Sequence, residues 1–396
     1  MFPTDVVIVA GARTPMARYT GSFSEVSAID LAAHASKEVI RRAGVDPGDF
    51  DHAIFGNVMQ TSADALYGAR HVGLKAGLKI EAPAVTVNRL CGSGMESIVQ
   101  GAQRLLLGEA TMVLAGGMEN MTQAPFVIRG ARSGLKLGGG ALEDTLMAGL
   151  TDSYCGLPMA LTAEKLADQH GITRADADAY ALRSQQAADA AYKACRMRDE
   201  LVAVEVKHGK KSVMVSEDDH RRPETTLETL VKLPPSFKKD GIVTAGNASG
   251  IVDGAAAVVV TREQIAKDRG LKPAGRIVAW AVAGVDPSIM GIGPVPSSQK
   301  ALKLAGLTLE QMDRVEVNEA FAAQYLAVEK VLGLNRDKTN VNGGAIALGH
   351  PLGATGTRLV ITILNELRRN NLRYGLTTAC IGGGQGIAMI VEALYN

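Results

Sequence analysis

A chain of 396 residues with 46% hydrophobic and 21% charged content is too long for one ordinary core, and two or three domains of a soluble globular protein are expected. A formal net charge of +1 gives no reason to expect nucleic acid or an anionic membrane as partner, and no apolar run reaches the roughly 18 residues of a membrane span. Four cysteines (Cys91, Cys155, Cys195 and Cys380) without a CxxC pair argue against a disulfide framework or a zinc site and suit free thiols in a reducing compartment.

Met1–Asp5 runs straight into a strand expected over Val6–Ala10, with neither a signal nor an Arg-rich transit segment, so the sequence predicts a soluble intracellular protein. Gly11–Pro15 reads as a turn. Ala28–Ala43 has the apolar spacing of an amphipathic helix ended by Gly44. Ala53–Val58 reads as a second strand and Ala63–Ala76 as a helix. Ala110–Ala115 reads as a strand stopped by Gly116-Gly117. Short apolar strands alternating with helices predict parallel pairing in a sheet covered on both faces.

Between those elements lies Val85-Thr86-Val87-Asn88-Arg89-Leu90-Cys91-Gly92-Ser93-Gly94, followed by a helical run to Leu107. It reads as strand, tight turn and helix with the thiol at the turn, where glycines let the backbone bend and a substrate approach. The free N–H groups of the helix start favour a thiolate and any oxyanion beside it. A buried, inert cysteine has the same local sequence.

From Glu119 to about Thr244 the texture changes. Gly138-Gly139-Gly140, the charged run Glu217–Arg222 and Pro234-Pro235 interrupt the alternation, while Leu161–Gln169 and Arg174–Arg196 read as helices, the second capped by Thr173 with Asp176. A mostly helical, loop-rich insertion that covers a site is expected. Ala255–Thr261 and Arg276–Ala283 return to strand pattern, and the second half then echoes the first. Arg314–Asn318 resembles Ala53–Asn57, Asn340-Val341-Asn342 resembles Thr86-Val87-Asn88, and Gly375–Cys380 before Gly382–Gly384 resembles Ala110–Ala115 before Gly116-Gly117. Duplicated halves place corresponding strand ends near a pseudo-twofold axis, which is one way for Cys91 to meet residues of the second half.

Three second-half segments are candidates to meet it. His350 stands in the Gly-rich loop Asn342–Gly356, and an imidazole near a thiol can take its proton; a surface histidine would read alike. Cys380 ends a strand before Gly382-Gly383-Gly384, whose backbone N–H groups can hold an oxyanion, although a small core cysteine beside a turn fits equally. Asn318 ends another strand and could be a helix N-cap. Cys155 and Cys195 read as packing residues.

Val87-Asn88-x-x-Cys91-Gly92-Ser93-Gly94, Asn318-Glu319-Ala320-Phe321-Ala322, Gly349-His350-Pro351-Leu352-Gly353-Ala354-Thr355-Gly356 and Cys380-Ile381-Gly382-Gly383-Gly384-Gln385-Gly386 together resemble the thiolases, in order and in spacing, from Val6 to Tyr395. The resemblance implies an α/β fold of two duplicated, αβαβα-layered halves with an inserted, mainly helical loop domain. The N-terminal half would span 1–119, completed by about 245–270, with the loop domain over 120–244 and the C-terminal half over 271–396. It implies a homodimer or homotetramer, with Phe126–Leu142 either an oligomer-forming or a solvent loop. It also implies CoA and acyl-CoA as substrates, no bound cofactor or metal, and no nucleic-acid or membrane partner. The expected compartment is the cytoplasm of a bacterial-type enzyme, or the mitochondrial matrix if the chain is a mature form.

Carried over by motif, Cys91 is the nucleophile that takes the acyl group, His350 accepts its proton, and Cys380 is the acid/base at the carbon α to the thioester. One oxyanion site would be the His350 N–H with a water held by Asn318, and the other the N–H groups of Cys91 and Gly382; each such donor is worth about 2.7–4 kcal/mol in a dry site. Ser249, in Gly246–Gly250, matches the loop along the pantetheine, and Arg222 a position near the nucleotide end of CoA. Met159 and Met290 match residues lining the acyl pocket, and Phe321 is grouped with these substrate contacts. A glycine turn, an exposed charge and plain core methionines are the bland alternatives.

Acetoacetyl-forming thiolases often carry His-Met where this chain has Pro158-Met159. That loop, Gln60–Ala65 and Asp286–Gly293 resemble the mitochondrial type of 3-ketoacyl-CoA thiolase, which favours a broad chain-length range in fatty-acid β-oxidation over an acetyl-CoA acetyltransferase confined to four carbons. A Cys–His hydrolase would not need the second thiol at Cys380. A ketosynthase would carry a second His there, and a non-catalytic acyl-CoA or lipid-binding relative would have no use for both thiols with Asn318 and His350.

Overall fold

The computed structural model describes residues 5–209 and 211–395. Met1–Thr4, expected to lead straight into the first strand, lies outside the described residues. Five strands build the first half: β1 (Val6–Arg13), β2 (His52–Gly56), β3 (Ala84–Val87), β4 (Met112–Glu119) and β5 (Val252–Arg262). Four more build the second: β6 (Gly275–Gly284), β7 (Arg314–Val317), β8 (Tyr374–Ile381) and β9 (Gln385–Ala393). The two sets join in one path, β3-β2-β4-β5-β1-β6-β9-β8-β7, with the seam at Val7 opposite Arg276 and Ile8 opposite Gly275.

Each half repeats the same directions. β2 runs parallel to β3 and β4, while β4–β5 and β5–β1 are antiparallel. In the second half β7 runs parallel to β8, and β8–β9 and β9–β6 are antiparallel. Thr339 bridges β7 in parallel where the first half has β3. The sheet is therefore mixed rather than parallel. A three-residue turn joins β8 to β9, too short for a parallel crossover, and β5 returns after the long insertion to lie between β1 and β4.

Eight helices matter to the site: α1 (Ala28–Ala43), α2 (Gly68–Ala76), α3 (Ser93–Leu106), α4 (Met159–His170), α5 (Arg174–Lys193), α6 (Pro294–Ala305), α7 (Ala322–Leu332) and α8 (Leu352–Arg369). The apolar clusters show how they stack. Met95, Ile98 and Val99 of α3 share one buried core with Leu359, Val360 and Ile363 of α8 and with inner-facing residues of both strand sets, such as Ile54, Val258, Ile381 and Met389. The opposite face of the first set packs on α1 and α2, and that of the second on α6 and α7. Helices outside, sheet, paired helices, sheet, helices outside: the layering is αβαβα.

Local signals explain most boundaries. Ser27 accepts from the Asp30 N–H at the start of α1, and Gly44 ends it at φ +66°. Thr173 and Asp176 form a reciprocal capping box on α5. Two expected boundaries change. α2 begins at Gly68 rather than Ala63, because Ser62 bonds Asp64 (2.8 Å) and a short 3-10 turn, Ala65–Tyr67, intervenes. β4 does not stop at Gly116-Gly117 but continues to Glu119. A Cβ on Gly117 would lie 1.8 Å from the Gly353 carbonyl oxygen and one on Gly116 2.3 Å from that of Ala256, so these glycines admit a close neighbour. The insertion is mainly helical and loop-rich, with three two-stranded ribbons beside its helices. Within its charged run Asp218 is buried and takes two bonds from the buried Arg13 of β1, at 2.7 and 2.9 Å, while Arg13 also reaches Glu200 at 2.8 Å. Among the described residues no helix is long and apolar enough to cross a membrane.

Candidate active site

The turn after β3 is built by short polar side chains. Asn88 Oδ1 accepts the Leu90 N–H (2.9 Å). Ser93 Oγ accepts the Arg89 N–H (2.8 Å) and donates to the Leu90 carbonyl (2.7 Å). The residue bent into left-handed backbone is Leu90, at φ +46°, a conformation costing about 1–3 kcal/mol for a bulky side chain. This corrects the expectation that glycines make the bend. Gly92 is needed because a Cβ there would lie 2.5 Å from Ile381 Cδ1, and Gly94 because one would lie 2.7 Å from the Gly353 carbonyl. Both let α3 and its turn sit against the second half.

Cys91 follows Leu90, partly exposed, against Met121, Leu146 and Leu352. Burial pushes the thiol up to about 11, while the backbone N–H groups of Gly382 and of Cys91 itself pull the other way. The Glu119 carboxylate pushes the same way as burial. The resting form is a thiol, not the thiolate expected from the helix start.

His350 is buried, not a surface-loop residue. Its backbone N–H donates to the Gly250 carbonyl at 2.9 Å, tying the loop to the start of β5. Its Nδ1 lies 2.6 Å from Thr355 Oγ1, and that hydroxyl donates to the Pro351 carbonyl at 3.0 Å. With the hydroxyl proton so committed, Thr355 is left to accept, which assigns the proton of neutral His350 to Nδ1 and the lone pair to Nε2. Burial, then the charge of Arg358, pushes the imidazole down to about 3, so it rests neutral. Its Nε2 faces Asn318 Nδ2 at 3.4 Å.

Cys380 is fully buried near the end of β8, packed with Met290 and Ala320. Burial, then the neighbouring Cys91, pushes its thiol well up, while the Asn318 side chain pulls it the other way. Asn318 Oδ1 is buried without a protein partner, an orphaned acceptor in the middle of the site. Gly382 opens the turn, with Gly383 and Gly384 at φ +75° and +78°. A Cβ on Gly382 would lie 3.2 Å from Leu90 Cδ1 and 3.3 Å from Met159 Sδ. Two thiols, one imidazole, one carboxamide and two backbone N–H donors thus meet at one point.

A cavity of about 140 Å³, lined by Met121, Pro158, Met159, Phe321, Ser249 and His350, adjoins these groups. It shares Phe237, Ala248, Ser249, Gly250 and Ile251 with an open groove of about 780 Å³ that runs past His220 and Arg222. Ser249, Met159 and Phe321 therefore lie on the cavity wall. Arg222 is exposed in the groove, its backbone N–H bonded to Gln185 Oε1 at 2.9 Å. Met290 is 2% exposed and packs with Cys380 and Ala320 in a cluster that Met159 and Phe321 also join.

Two neighbours carried no sequence signal of their own. Thr355 is visible only as part of the motif around His350. Glu119, fully buried, accepts from Asn57 Nδ2 (3.0 Å) and from the N–H groups of Val58 (3.1 Å), Met59 (2.9 Å) and Gly353 (2.9 Å). Burial pushes it up to about 7, yet four donors and no acceptor suit the ionised form. Among the described residues no group of three or more His, Cys, Asp or Glu is arranged to hold a metal ion.

Comparison with known proteins shows the chain's relatives. Residues 6–264 match the family model described as "Thiolase, N-terminal domain" and residues 271–393 that described as "Thiolase, C-terminal domain". The chain is 54% identical to the mitochondrial 3-ketoacyl-CoA thiolase of Homo sapiens over 98% of both chains. It is 47% identical to the acetyl-CoA acetyltransferase of Pseudomonas aeruginosa over 97% of this chain and 98% of that one. A crystal structure of human mitochondrial 3-ketoacyl-CoA thiolase in complex with CoA superposes with a TM-score of 0.96 at 53% identity, covering 98% of each chain.

Proposed function

The chain belongs to the thiolase family, and from that membership we propose an acyltransferase that cleaves 3-ketoacyl-CoA with CoA through an acyl-Cys91 intermediate and runs the reverse Claisen condensation. The observation that carries the residue roles is the convergence of Cys91, Cys380, His350, Asn318 and the Gly382 N–H beside one cavity. Substrate binding draws the Cys91 proton onto His350 Nε2, the free lone pair of the neutral ring. The sulfur then attacks the 3-keto carbon, and the carbonyl electron pair moves to oxygen, held by the N–H groups of Cys91 and Gly382. That pair returns and the C2–C3 bond breaks, leaving an enolate whose oxygen is met by His350 Nε2–H and a water on Asn318 Oδ1. Cys380 protonates C2, and acetyl-CoA departs.

Cys380, now a thiolate, removes the proton of an incoming CoA thiol. The CoA sulfur attacks the acyl-Cys91 carbonyl, the Cys91–acyl bond breaks, and the shortened acyl-CoA leaves with Cys91 reprotonated from His350. Starting from two neutral thiols and a neutral imidazole keeps an aqueous-facing thiolate from reacting before substrate arrives. Ser249 lies where the pantetheine would thread from cavity to groove, Arg222 where the phosphates would lie, and Met159 and Phe321 flank the acyl chain.

Pro158, in place of a polar histidine, keeps the cavity wall apolar, which together with the 54% against 47% identities favours a range of acyl lengths. Comparable or higher kcat/KM for CoA-dependent cleavage of 3-ketooctanoyl-CoA than of acetoacetyl-CoA is expected; activity confined to acetoacetyl-CoA would make the protein an acetyl-CoA acetyltransferase instead. The same reading divides the chain into halves at 1–119, completed by about 245–270, and at 271–396, with the loop domain over 120–244. It makes the protein a homodimer or homotetramer, consistent with the open edge of β3 beside exposed Leu66, Tyr67 and Ile80 and with exposed Leu137 and Leu142.

A further inference from the structure

The two N–H groups proposed to hold the first oxyanion come from different halves of the molecule. The N–H of Cys91 belongs to the turn after β3, and that of Gly382 to the turn between β8 and β9. An oxyanion gains from both only if their separation is held to a few tenths of an ångström, so something must fix one turn against the other. Helix packing does this coarsely, through Gly92 against Ile381 and the Thr357 hydroxyl donating to the Gly94 carbonyl at 2.8 Å. A more direct tie starts two residues before the nucleophile. Arg89 Nε donates to Glu96 Oε2 at 2.8 Å, and Arg89 Nη1 donates to Gln385 Oε1 at 3.1 Å.

Each end of this tie is itself anchored. Glu96 is 7% exposed, lies in the first turn of α3 and takes a second bond from Gln100 at 3.0 Å. The backbone N–H of Arg89 is held by Ser93 Oγ. Gln385 follows the Gly382–Gly384 turn directly and opens β9, paired with Ile381 across the hairpin. Among the described residues, Arg89 to Gln385 is the one side-chain hydrogen bond from residues 88–92 to the second half that does not involve the Cys91 thiol. A solvated ion pair with Glu96 alone would be worth little; the fork of the guanidinium, one arm to each half, gives it a geometric purpose.

We propose that Arg89 is a positioning residue for acyl transfer: by gripping Glu96 and Gln385 at once it fixes the Cys91 N–H against the Gly382 N–H. The inference rests on the reading of those two groups as an oxyanion site. Its signature is a step that depends on the oxyanion and fails while other chemistry at the same sulfur does not. Acetylation of Cys91 by acetyl-CoA passes through a tetrahedral oxyanion. Alkylation by iodoacetamide displaces iodide at a saturated carbon and develops none there.

The test measures both rates, with KM for CoA, in the parent, in Arg89→Leu, in Gln385→Leu and in the double variant. Acetylation is expected to slow about 10- to 100-fold in each single variant, with alkylation and KM for CoA within about twofold of the parent. The double variant should be no slower than the singles, because one tie is cut once. Gln385→Glu, which still accepts from Arg89, should recover most of the rate. Unchanged acetylation in both leucine variants, or equal loss of acetylation and alkylation in both, overturns the assignment. A parent protein that takes no acetyl group on Cys91 removes the underlying site reading, and the role of Arg89 with it.

Discussion

Glu119 stands in the first half where Cys380 stands in the second. Gly56 pairs with Gly117 across β2 and β4, as Val317 pairs with Thr378 across β7 and β8. Two residues further on in β4 and β8 come Glu119 and Cys380. The residues just beyond β2 and β7 are Asn57 and Asn318, and each acts on the acidic group opposite it: Asn57 Nδ2 donates to Glu119 Oε1 at 3.0 Å, and the Asn318 side chain pulls the Cys380 thiol down against the burial that raises it. The Asn–acid pair recurs in both halves, tied to backbone N–H groups in the first and set beside the Cys91 thiol in the second.

The structural copy gives the first prediction. Each oxygen of Glu119 receives two N–H donors, so an amide in its place turns an NH₂ against two of them in either orientation. Glu119→Gln should destabilise the protein by about 2–4 kcal/mol, read from the midpoint of urea unfolding. A loss below about 0.5 kcal/mol would mean that the carboxylate is not held as an ion.

Thr355 sets which nitrogen of His350 is free. Removing its acceptor oxygen in Thr355→Val leaves Nδ1–H unsatisfied and lets the proton move to Nε2, the atom proposed as base. The kcat for acetoacetyl-CoA cleavage should fall about 10- to 100-fold, less than the loss when a buried carboxylate partner is neutralised, while Thr355→Ser should stay within about threefold. Equal activity in the valine variant would show that the ring is oriented by Asn318 alone.

The resting protonation states predict how the free enzyme reacts with pH. Burial raises the Cys91 thiol to about 11 and lowers His350 to about 3, so neither titrates near neutrality. Below its pKa a thiol is thiolate in a fraction that grows tenfold per pH unit. Alkylation of Cys91 by iodoacetamide, measured in Cys380→Ala with peptide mapping, should climb about tenfold per unit from pH 7 to 9 without a plateau. A plateau beginning near pH 6 would mark a preformed thiolate–imidazolium pair.

Much of this was legible in the chain because it is local. Cys91 and His350 each stand two residues before the first residue of a central helix, α3 at Ser93 and α8 at Leu352, and the motifs that carry them mark those helix starts directly. The internal repeat foretold that such equivalent turns would meet. What stayed hidden depends on partners far away in sequence. No local pattern says that Leu90 rather than Gly92 takes the left-handed backbone, since Gly92 is selected by Ile381 and Gly94 by Gly353. Gly116-Gly117 looks like a strand end for the same reason; the carbonyls of Ala256 and Gly353 that exclude side chains there lie on other elements. The neutral resting state follows from desolvation, which a favourable helix terminus in the sequence does not reveal. The mixed sheet follows from where β5 re-enters after an insertion longer than any periodicity window.

The most direct test of the two-thiol account is to incubate the protein with acetyl-CoA and locate the acetyl group by peptide mass mapping in the parent, in Cys91→Ala and in Cys380→Ala. The account predicts acetyl on Cys91 in the parent and, more slowly formed, in Cys380→Ala, with none anywhere in Cys91→Ala. Acetyl that persists in Cys91→Ala and disappears in Cys380→Ala would contradict it and exchange the roles of the two thiols.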